Sequence, residues 1–530
     1  MTRDELLQAL RRPDAYRIRP AEVTHLETHI SDLFFAGDRV YKVKKPVAFG
    51  FLDFSRLEQR KHFCEEEVRL NQRLAPRVYL GVVPIVRGSD GRGGARPVVE
   101  VGGAGEAVEY AVEMRRLPAQ RMLDELLARG EIDNRLLDGI ADLLVRFHAL
   151  ADTGPGVDGF GTRAAIARNA LENFDETRAF VASVDGPPQD LPCVFTPRAH
   201  AFLRERTETF LNEHAAKFDA RVRDGRIRDG HGDLHAGNIC LAPGGVVAYD
   251  CIEFSPRLRC GDVACDLAFL AMDLDLRCFR AFSDYLVYRY SHAAEDPGVG
   301  ELNRFYKSYR AMVRAKVGAL RAQGCTDPAD REQARREAMR YVHLAATYWL
   351  PPVLILMCGL PASGKSFAAH AVGRAFEAVV LRSDVIRKQG ASREAAADGA
   401  AVSYSRTAKE QVYQRMFELA RVAAAQGRAA VVLDASFGRR GDRDAASALA
   451  HDLGYRLVVV ETTAARATIE ARMRARASAV DEASDADLAV HDTLARSFEA
   501  PDEIVAERRA VVTEGLAPEE IVARVIDACV

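Results

Sequence analysis

Two short strings in this chain hold the residue types that phosphate chemistry uses. The first is Gly359-Leu-Pro-Ala-Ser-Gly-Lys-Ser366, which fits GxxxxGK[ST] at every position. It follows an apolar run, Val353 to Cys358, and precedes a stretch of helical spacing, Phe367 to Phe376. Gly359 and Gly364 let backbone N–H groups, Ser363 among them, turn inward around phosphate oxygens, and a helix N-terminus adds partial positive charge. Lys365 is then placed to reach the outer phosphates, and the Ser366 hydroxyl to ligate Mg²⁺. The second string is His231-Gly-Asp-Leu-His-Ala-Gly-Asn238, followed by a strand, a turn at Gly244-Gly245 and another strand ending at Asp250. A hairpin there sets Asn238 beside Asp250, an amide oxygen and a carboxylate that suit Mg²⁺. Asp233 lies where an acceptor hydroxyl would arrive; it is the expected general base, or at least the group that orients the hydroxyl. His231 and His235 lack a third soft ligand at suitable spacing, so hard oxygen ligands and Mg²⁺ are expected rather than zinc.

Further candidates surround the first string. Asp384 sits just past the next apolar run, on the side where ligands bind beyond the carboxyl ends of parallel strands. It is placed to accept a hydroxyl proton, with Arg387 three residues on to hold an anionic substrate group. The alternative for Asp384 is a helix N-cap. Asp434 ends the run Val431-Val-Leu-Asp434, where a carboxylate orders the Mg²⁺ shell. Arg472 and Arg476 are four apart on an expected helix, ahead of the acidic run Asp481 to Asp487. They either close over the transferring phosphoryl group or form a solvated charged face.

The elements that must position these groups differ between the two halves. From about 24 to 117, short apolar runs (Val40–Val43, Tyr79–Val86, Pro97–Val101, Val108–Met114) alternate with turns at Gly88–Gly94 and Gly102–Gly105. One helical run, Ser55 to Leu74, interrupts them. From about 119 to 348 the texture is helical, with two short strands at Ile239–Leu241 and Val246–Tyr249. Asp327-Pro328 starts a helix that Pro351-Pro352 ends. Beyond it, apolar runs at Val353–Cys358, Ala378–Leu381, Ala429–Leu433 and Arg456–Val460 alternate with Ala-rich helices, the pattern of a parallel sheet covered by helices. The expected boundary therefore falls between residues 350 and 351.

Composition narrows the function classes. The 530 residues are 48% hydrophobic and 28% charged, and the formal net charge is -3. That balance offers no polybasic coat for nucleic acid or a membrane surface. No apolar run approaches the ~18 residues of a membrane helix, and Asp4 and Glu5 stand where a signal peptide needs an apolar core. Ten cysteines without CxxC spacing are expected to be reduced. A cytoplasmic protein is expected.

Two resemblances follow from the motifs. The span 353–510 is similar to small P-loop kinases of the gluconate-kinase, zeta-toxin and polynucleotide-kinase branch, through Gly359–Ser366, Asp384 with Arg387, and the paired arginines. The span 24–345 resembles the aminoglycoside-phosphotransferase and choline-kinase family, through Asp233, Asn238, Asp250 and the later Gly261-Asp262-Val-Ala-Cys-Asp266. The second resemblance implies a protein-kinase-like α+β domain, with an N-lobe at about 1–117 and a helical C-lobe at about 118–350. The first implies an α/β P-loop domain at 351–530 with helices on both faces of a parallel sheet. The aminoglycoside-phosphotransferase resemblance further implies that Lys42, favoured by position over Lys44 and Lys45, pairs the α/β-phosphates and that Glu67 is its partner. Thr28-His-Ile-Ser31 becomes the nucleotide-covering loop, and Asp266 a brace for the catalytic loop.

The expectation is a bifunctional ATP-dependent phosphotransferase with one ATP and Mg²⁺ site per domain. Each domain would phosphorylate a hydroxyl of a small molecule. The alternatives are one working kinase with a nucleotide-binding regulator, a kinase of nucleic-acid ends or another macromolecule, and a non-catalytic nucleotide-binding module. Arg387 and Lys388 favour an anionic acceptor for the P-loop half.

Overall fold

Even and odd residues of the strand Arg39–Lys44 feed two different cores, because side chains alternate along a strand. Tyr41 and Val43 join Leu10, Phe34, Ile85 and Val101 on one side of the sheet. Val40 joins Cys64, Tyr79 and Met114 on the other, and Lys42 and Lys44 share its parity. The antiparallel sheet consists of β1 (Val23–Glu27), β2 (Ser31–Ala36), β3 (Arg39–Lys44), β4 (Tyr79–Arg87), β5 (Val99–Val101) and β6 (Ala107–Arg115), in the order β1-β2-β3-β6-β4-β5. Sequence spacing finds β3, β4, β5 and β6 but not β1 and β2. β1 is a mostly exposed edge strand whose polar residues hide its period, and β2 opens on Ser31 and Asp32.

The structure, a computed structural model, describes residues 1–49, 52–88, 98–182, 191–394, 406–477 and 488–530. The expected turn residues Gly91, Gly93 and Gly94, and the acidic run 481–487, lie outside the described residues. Among the described residues no helix is long and apolar enough to cross a membrane.

Helix α1 (Leu57–Asn71) lies on the β3–β6 side that carries Val40 and Lys42. Arg60 pins it: its guanidinium makes hydrogen bonds of 3.0 Å from Nε to both Glu109 carboxylate oxygens and donates to the Phe54 and Ser55 carbonyls. Residue 67 is two turns further along, on the same face as Arg60. Helix α2 (Asn134–Leu150) starts at the Asp133 cap and buries Leu137, Ile140, Leu144 and Phe147 at helical spacing. The hairpin of β7 (Ile239–Ala242) and β8 (Gly245–Ala248) precedes α3 (Val263–Leu276), which is buried on almost every side.

The second sheet is wholly parallel. Its strands are β9 (Val353–Cys358), β10 (Val379–Arg382), β11 (Ala430–Asp434), β12 (Arg456–Thr462) and β13 (Arg509–Val512), in the order β10-β11-β9-β12-β13. β9 and β11 are buried along their whole length, as strands covered on both faces must be. The register sets Arg382 of β10 opposite Asp434 of β11, so the carboxyl ends converge. β13 was not legible in sequence: it is a four-residue edge strand with one exposed valine.

By internal contacts the chain forms two units, Met1–Arg168 with Glu213–Lys307, and Asn169–Asn212 with Ser308–Val530. This division differs from the 350/351 boundary, and the reason lies inside the second unit. Helices α4 (Pro328–Thr347) and α8 (Pro518–Cys529) pack together. Arg335 and Arg340 of α4 pair with Glu520 and Glu519 of α8, each at 3.1 Å, and the Thr196 hydroxyl donates to Asp527.

Arg60 is the first place to test this architecture. Replacing one partner of a buried, paired ion leaves the other uncompensated, at a cost of about 3–5 kcal/mol. An Arg60→Met variant is expected to lose stability on that scale by denaturant unfolding. An Arg69→Met variant, whose ion pair with Glu66 is on the surface, is expected to change by less than about 1 kcal/mol.

Candidate functional site

Glu67 of α1 sits between two lysines of β3. Lys42 Nζ donates to Glu67 Oε1 at 2.8 Å and Lys44 Nζ to Oε2 at 2.7 Å. Lys42 also donates to Asp250 Oδ1 at 2.6 Å, and Lys44 to Glu253. Burial alone would raise the Glu67 carboxyl; Lys42 and Lys44 overcome it and hold the group at about 2. Burial pushes the Glu253 carboxyl up, against the pull of Lys44. Two cations on one face of a strand thus serve one carboxylate. The expected Lys42–Glu67 pairing is present in the geometry, and Lys44 is a second partner rather than a rival.

The loop from His231 is held mainly from below. Asp266 of α3 accepts the His231 N–H at 2.6 Å and the Gly232 N–H at 2.9 Å, and Asp273 accepts the Ala236 N–H at 2.9 Å. His231 donates from Nε2 to the Tyr249 carbonyl at 3.0 Å and accepts the Asp233 N–H at Nδ1 at 3.2 Å, which commits both ring nitrogens. Burial lowers its pKa, so the neutral ring fits these roles. Asn238 Nδ2 donates to the Asp233 carbonyl at 3.0 Å and to Asp233 Oδ2 at 3.3 Å, leaving its oxygen as the ligand-capable atom. The hairpin ladder ends at Ile239–Ala248, and the Tyr249 N–H reaches the Asn238 carbonyl at 3.0 Å. Asp250 follows at once with φ +62° and a half-exposed side chain. Ser31 ends the β1–β2 turn closed by Thr28; its hydroxyl is buried and makes no hydrogen bond.

The second site is made by backbone. Between β9 and helix α5 (Lys365–Ala375), Ala362 has φ +64° and Gly364 φ +109°. Lys365 Nζ donates to the Leu360 carbonyl at 2.7 Å. The Ser363 hydroxyl lies 2.6 Å from Thr462 Oγ1, at the end of β12. Ser366 hydrogen-bonds Asp434, whose carboxyl is raised by burial against the pull of Ser366 and Lys365. Asp384 lies in the first turn of α6 (Ser383–Glu394), inside the helix rather than at its N-cap, and pairs with Arg387 at 3.3 Å. On α7 (Arg466–Ala477), Arg472 donates to the Ala362 carbonyl at 2.9 Å and so touches the loop itself. The Arg476 side chain lies outside the described residues.

Comparison with known proteins agrees with both halves. The pattern of the phosphotransferase enzyme family matches residues 36–302, half of the chain. The chain belongs to that family. An AAA domain pattern matches residues 354–501. Uncharacterized proteins of Mycobacterium tuberculosis and Mycobacterium bovis are 32% identical over 466 residues, covering 86% of this chain and 87% of each relative. Among solved structures, an ethanolamine kinase of Plasmodium vivax is 11% identical, over 60% of this chain and 81% of that one, with a TM-score of 0.37. A gluconokinase of Sinorhizobium meliloti is 20% identical, over 34% and 91%, with a TM-score of 0.25. This phosphotransferase joins the matched family domain to a second domain in which a P-loop motif follows the central strand of a parallel sheet.

The donor sets of the kinase fit ATP and Mg²⁺. Ser366 with Asp434, and Asn238 with Asp250, offer hard oxygen donors of the kind that Mg²⁺ takes. Among the described residues no cluster of three or more His, Cys, Asp or Glu side chains could hold a metal. Sequence reasoning passed over Tyr79, whose hydroxyl accepts the Asp250 N–H, and Asn71, whose Oδ1 accepts the Cys251 N–H. It also passed over Thr462. A Cβ at Gly359 would lie 2.5 Å from Thr462 Oγ1 and 2.6 Å from its carbonyl oxygen, where φ is already +151°. Gly359→Ala is therefore expected to cost about 1–3 kcal/mol by forcing the loop off β12. It should weaken ATP binding at the P-loop at least tenfold, read by calorimetry in a Lys42→Ala background.

Proposed function

We propose that both sites are catalytic and that each transfers the γ-phosphoryl group of ATP to a hydroxyl of a small molecule. The observation that carries this reading is that one chain holds two separate constellations, each with a lysine, a pair of hard oxygen donors and a further carboxylate. In the first, Lys42 holds the phosphates, Glu67 fixes Lys42, and Asn238 with Asp250 hold Mg²⁺. Asp233, anchored by Asn238 and near His235, takes the acceptor's proton at its carboxylate. In the second, Gly359, Ser363 and Gly364 shape the backbone cradle, Lys365 reaches the phosphates, and Ser366 with Asp434 hold Mg²⁺. Arg472, already on the loop, stabilises the developing charge, and Arg476 is assigned to the same role from its spacing in sequence. Asp384 takes the proton there, and Arg387 orients an anionic acceptor. Bound Mg·ATP supplies the phosphoryl group and the divalent charge that offsets the phosphate oxygens. Ser31, at the β1–β2 turn, is assigned to the loop over the nucleotide. All ten cysteines are free thiols, which suits a cytoplasmic enzyme.

The test is product mass from a pooled metabolite extract with ATP, using the full chain and its Asp233→Asn, Asp384→Asn and Lys365→Ala variants. Loss of a positioned base should slow its own product by about 10²–10⁴-fold. Asp233→Asn is expected to remove one phosphorylated product, and Asp384→Asn or Lys365→Ala another. If both products vanish in one variant and persist in the others, only one site is catalytic. If no metabolite gains a phosphoryl group while ATP binds, the small-molecule reading is wrong.

A further inference from the structure

We propose that Lys44 is a positioning residue for the metal-binding carboxylate: it ties the loop that carries Asp250 to helix α1, through Glu253 on one side and Glu67 on the other. The inference rests on the reading of Asp250 as a Mg²⁺ ligand.

Four observations lead to it. Lys44 is fully buried, so its ammonium cannot meet a nucleotide in the cleft. Its two hydrogen-bond partners belong to different elements, Glu67 on α1 and Glu253 three residues beyond Asp250. Its ammonium also lies over an aromatic ring, with Nζ 4.9 Å from the Phe54 centroid. Asp250 itself has φ +62°, a left-handed conformation that a non-glycine residue keeps only when its surroundings enforce it.

What enforces it is visible on both sides of the residue. The Asp250 N–H is tied to the Tyr79 hydroxyl at 3.1 Å and the Cys251 N–H to Asn71 Oδ1 at 2.8 Å. Asn71 in turn donates to the Glu67 carbonyl at 2.9 Å. Those contacts hold the start of the loop, and Lys44–Glu253 holds its far end. Lys42 is the direct bridge from Glu67 to Asp250; Lys44 is a parallel bridge from Glu67 to the same loop. Formally the cluster has three carboxylates and two ammonium groups. Asp250, with a side chain 46% exposed, is the member open to a further cation.

The experiment uses the full chain in a Lys365→Ala background, so that the first site is read. ATP affinity is measured by calorimetry in EDTA and at saturating Mg²⁺, and the ratio is the gain due to metal. Lys44→Met paired with Glu253→Gln removes the tether without leaving an unpaired buried charge. Its gain is expected to fall at least tenfold, while the affinity in EDTA stays within about threefold because Lys42 remains. Glu253→Gln alone should give a fall in the same direction with Lys44 still on Glu67. A parent-like gain in the double variant overturns the proposal, since the pair would then serve only to neutralise buried charge. Asp250→Asn separates the premise: it must abolish the gain. If it leaves the gain intact, the metal reading of Asp250 is wrong and the proposal falls with it; if it abolishes the gain and the Lys44 variants do not lower it, the proposal alone is overturned.

Discussion

One buried carboxylate between two buried ammonium groups is what the first site depends on. A lone carboxylate at the Glu67 position would be neutral, because burial penalises charge. Lys42 and Lys44 reverse that and hold the group ionised, with a pKa of about 2. The sign of the linkage follows. Glu67 binds its proton less readily in the folded chain than in the unfolded one, so its contribution to stability is complete above about pH 4.5 and is lost as the pH falls toward 2. The arrangement also constrains everything around it. Both lysines must share one strand face, α1 must lie across that face, and Arg60 with Glu109 must fix the helix two turns before Glu67.

The P-loop site reaches a similar end by other means. Here the sheet is parallel and the strand ends converge: the register sets Arg382 beside Asp434, and Asp434 in turn takes a hydrogen bond from Ser366. Little buried charge is needed. The cradle is a run of backbone whose shape depends on left-handed residues at 362 and 364 and on the absence of a side chain at 359. Substitutions should therefore act differently in the two sites. The first is sensitive to removal of a charge partner, because that strands an ion in the core. The second is sensitive to added volume, because that moves the loop.

Much of this was legible in sequence, for physical reasons that can be named. Motif residues stand in sequence order along one turn, so Gly359–Ser366 and Asp233–Asn238 carry their own geometry. Two-residue alternation gave Lys42 and Lys44 a common face, and the structure uses both. Asp266 was readable as a brace and does accept two loop N–H groups. Tyr79, Asn71 and Thr462 were not readable, because each meets its partner only after distant strands or helices have packed. Glu253 could have been suspected: it is a carboxylate three residues past Asp250 in an otherwise apolar stretch. Strands β1 and β13 escaped because edge strands expose much of their length and lose the alternating signal.

The boundary at 350/351 shows where sequence texture and packing part company. Texture changes at Pro351 because the chain passes from long helices to alternating strands and helices. Packing is decided by which apolar faces find each other. α8 buries Ile521, Val522, Val525 and Ile526, and it does so in a unit that also holds α4 and the segment Asn169–Asn212. The phosphotransferase pattern at 36–302 therefore crosses from one compact unit into the other and back. Residues 169–212, which lie inside the phosphotransferase pattern, belong by packing to the unit that carries the parallel sheet. A chain cut at 350/351 would leave α8 without the Arg335, Arg340 and Thr196 partners it has here. The two patterns are thus recognisable one after the other in sequence, while each compact unit is assembled from separate segments of the chain.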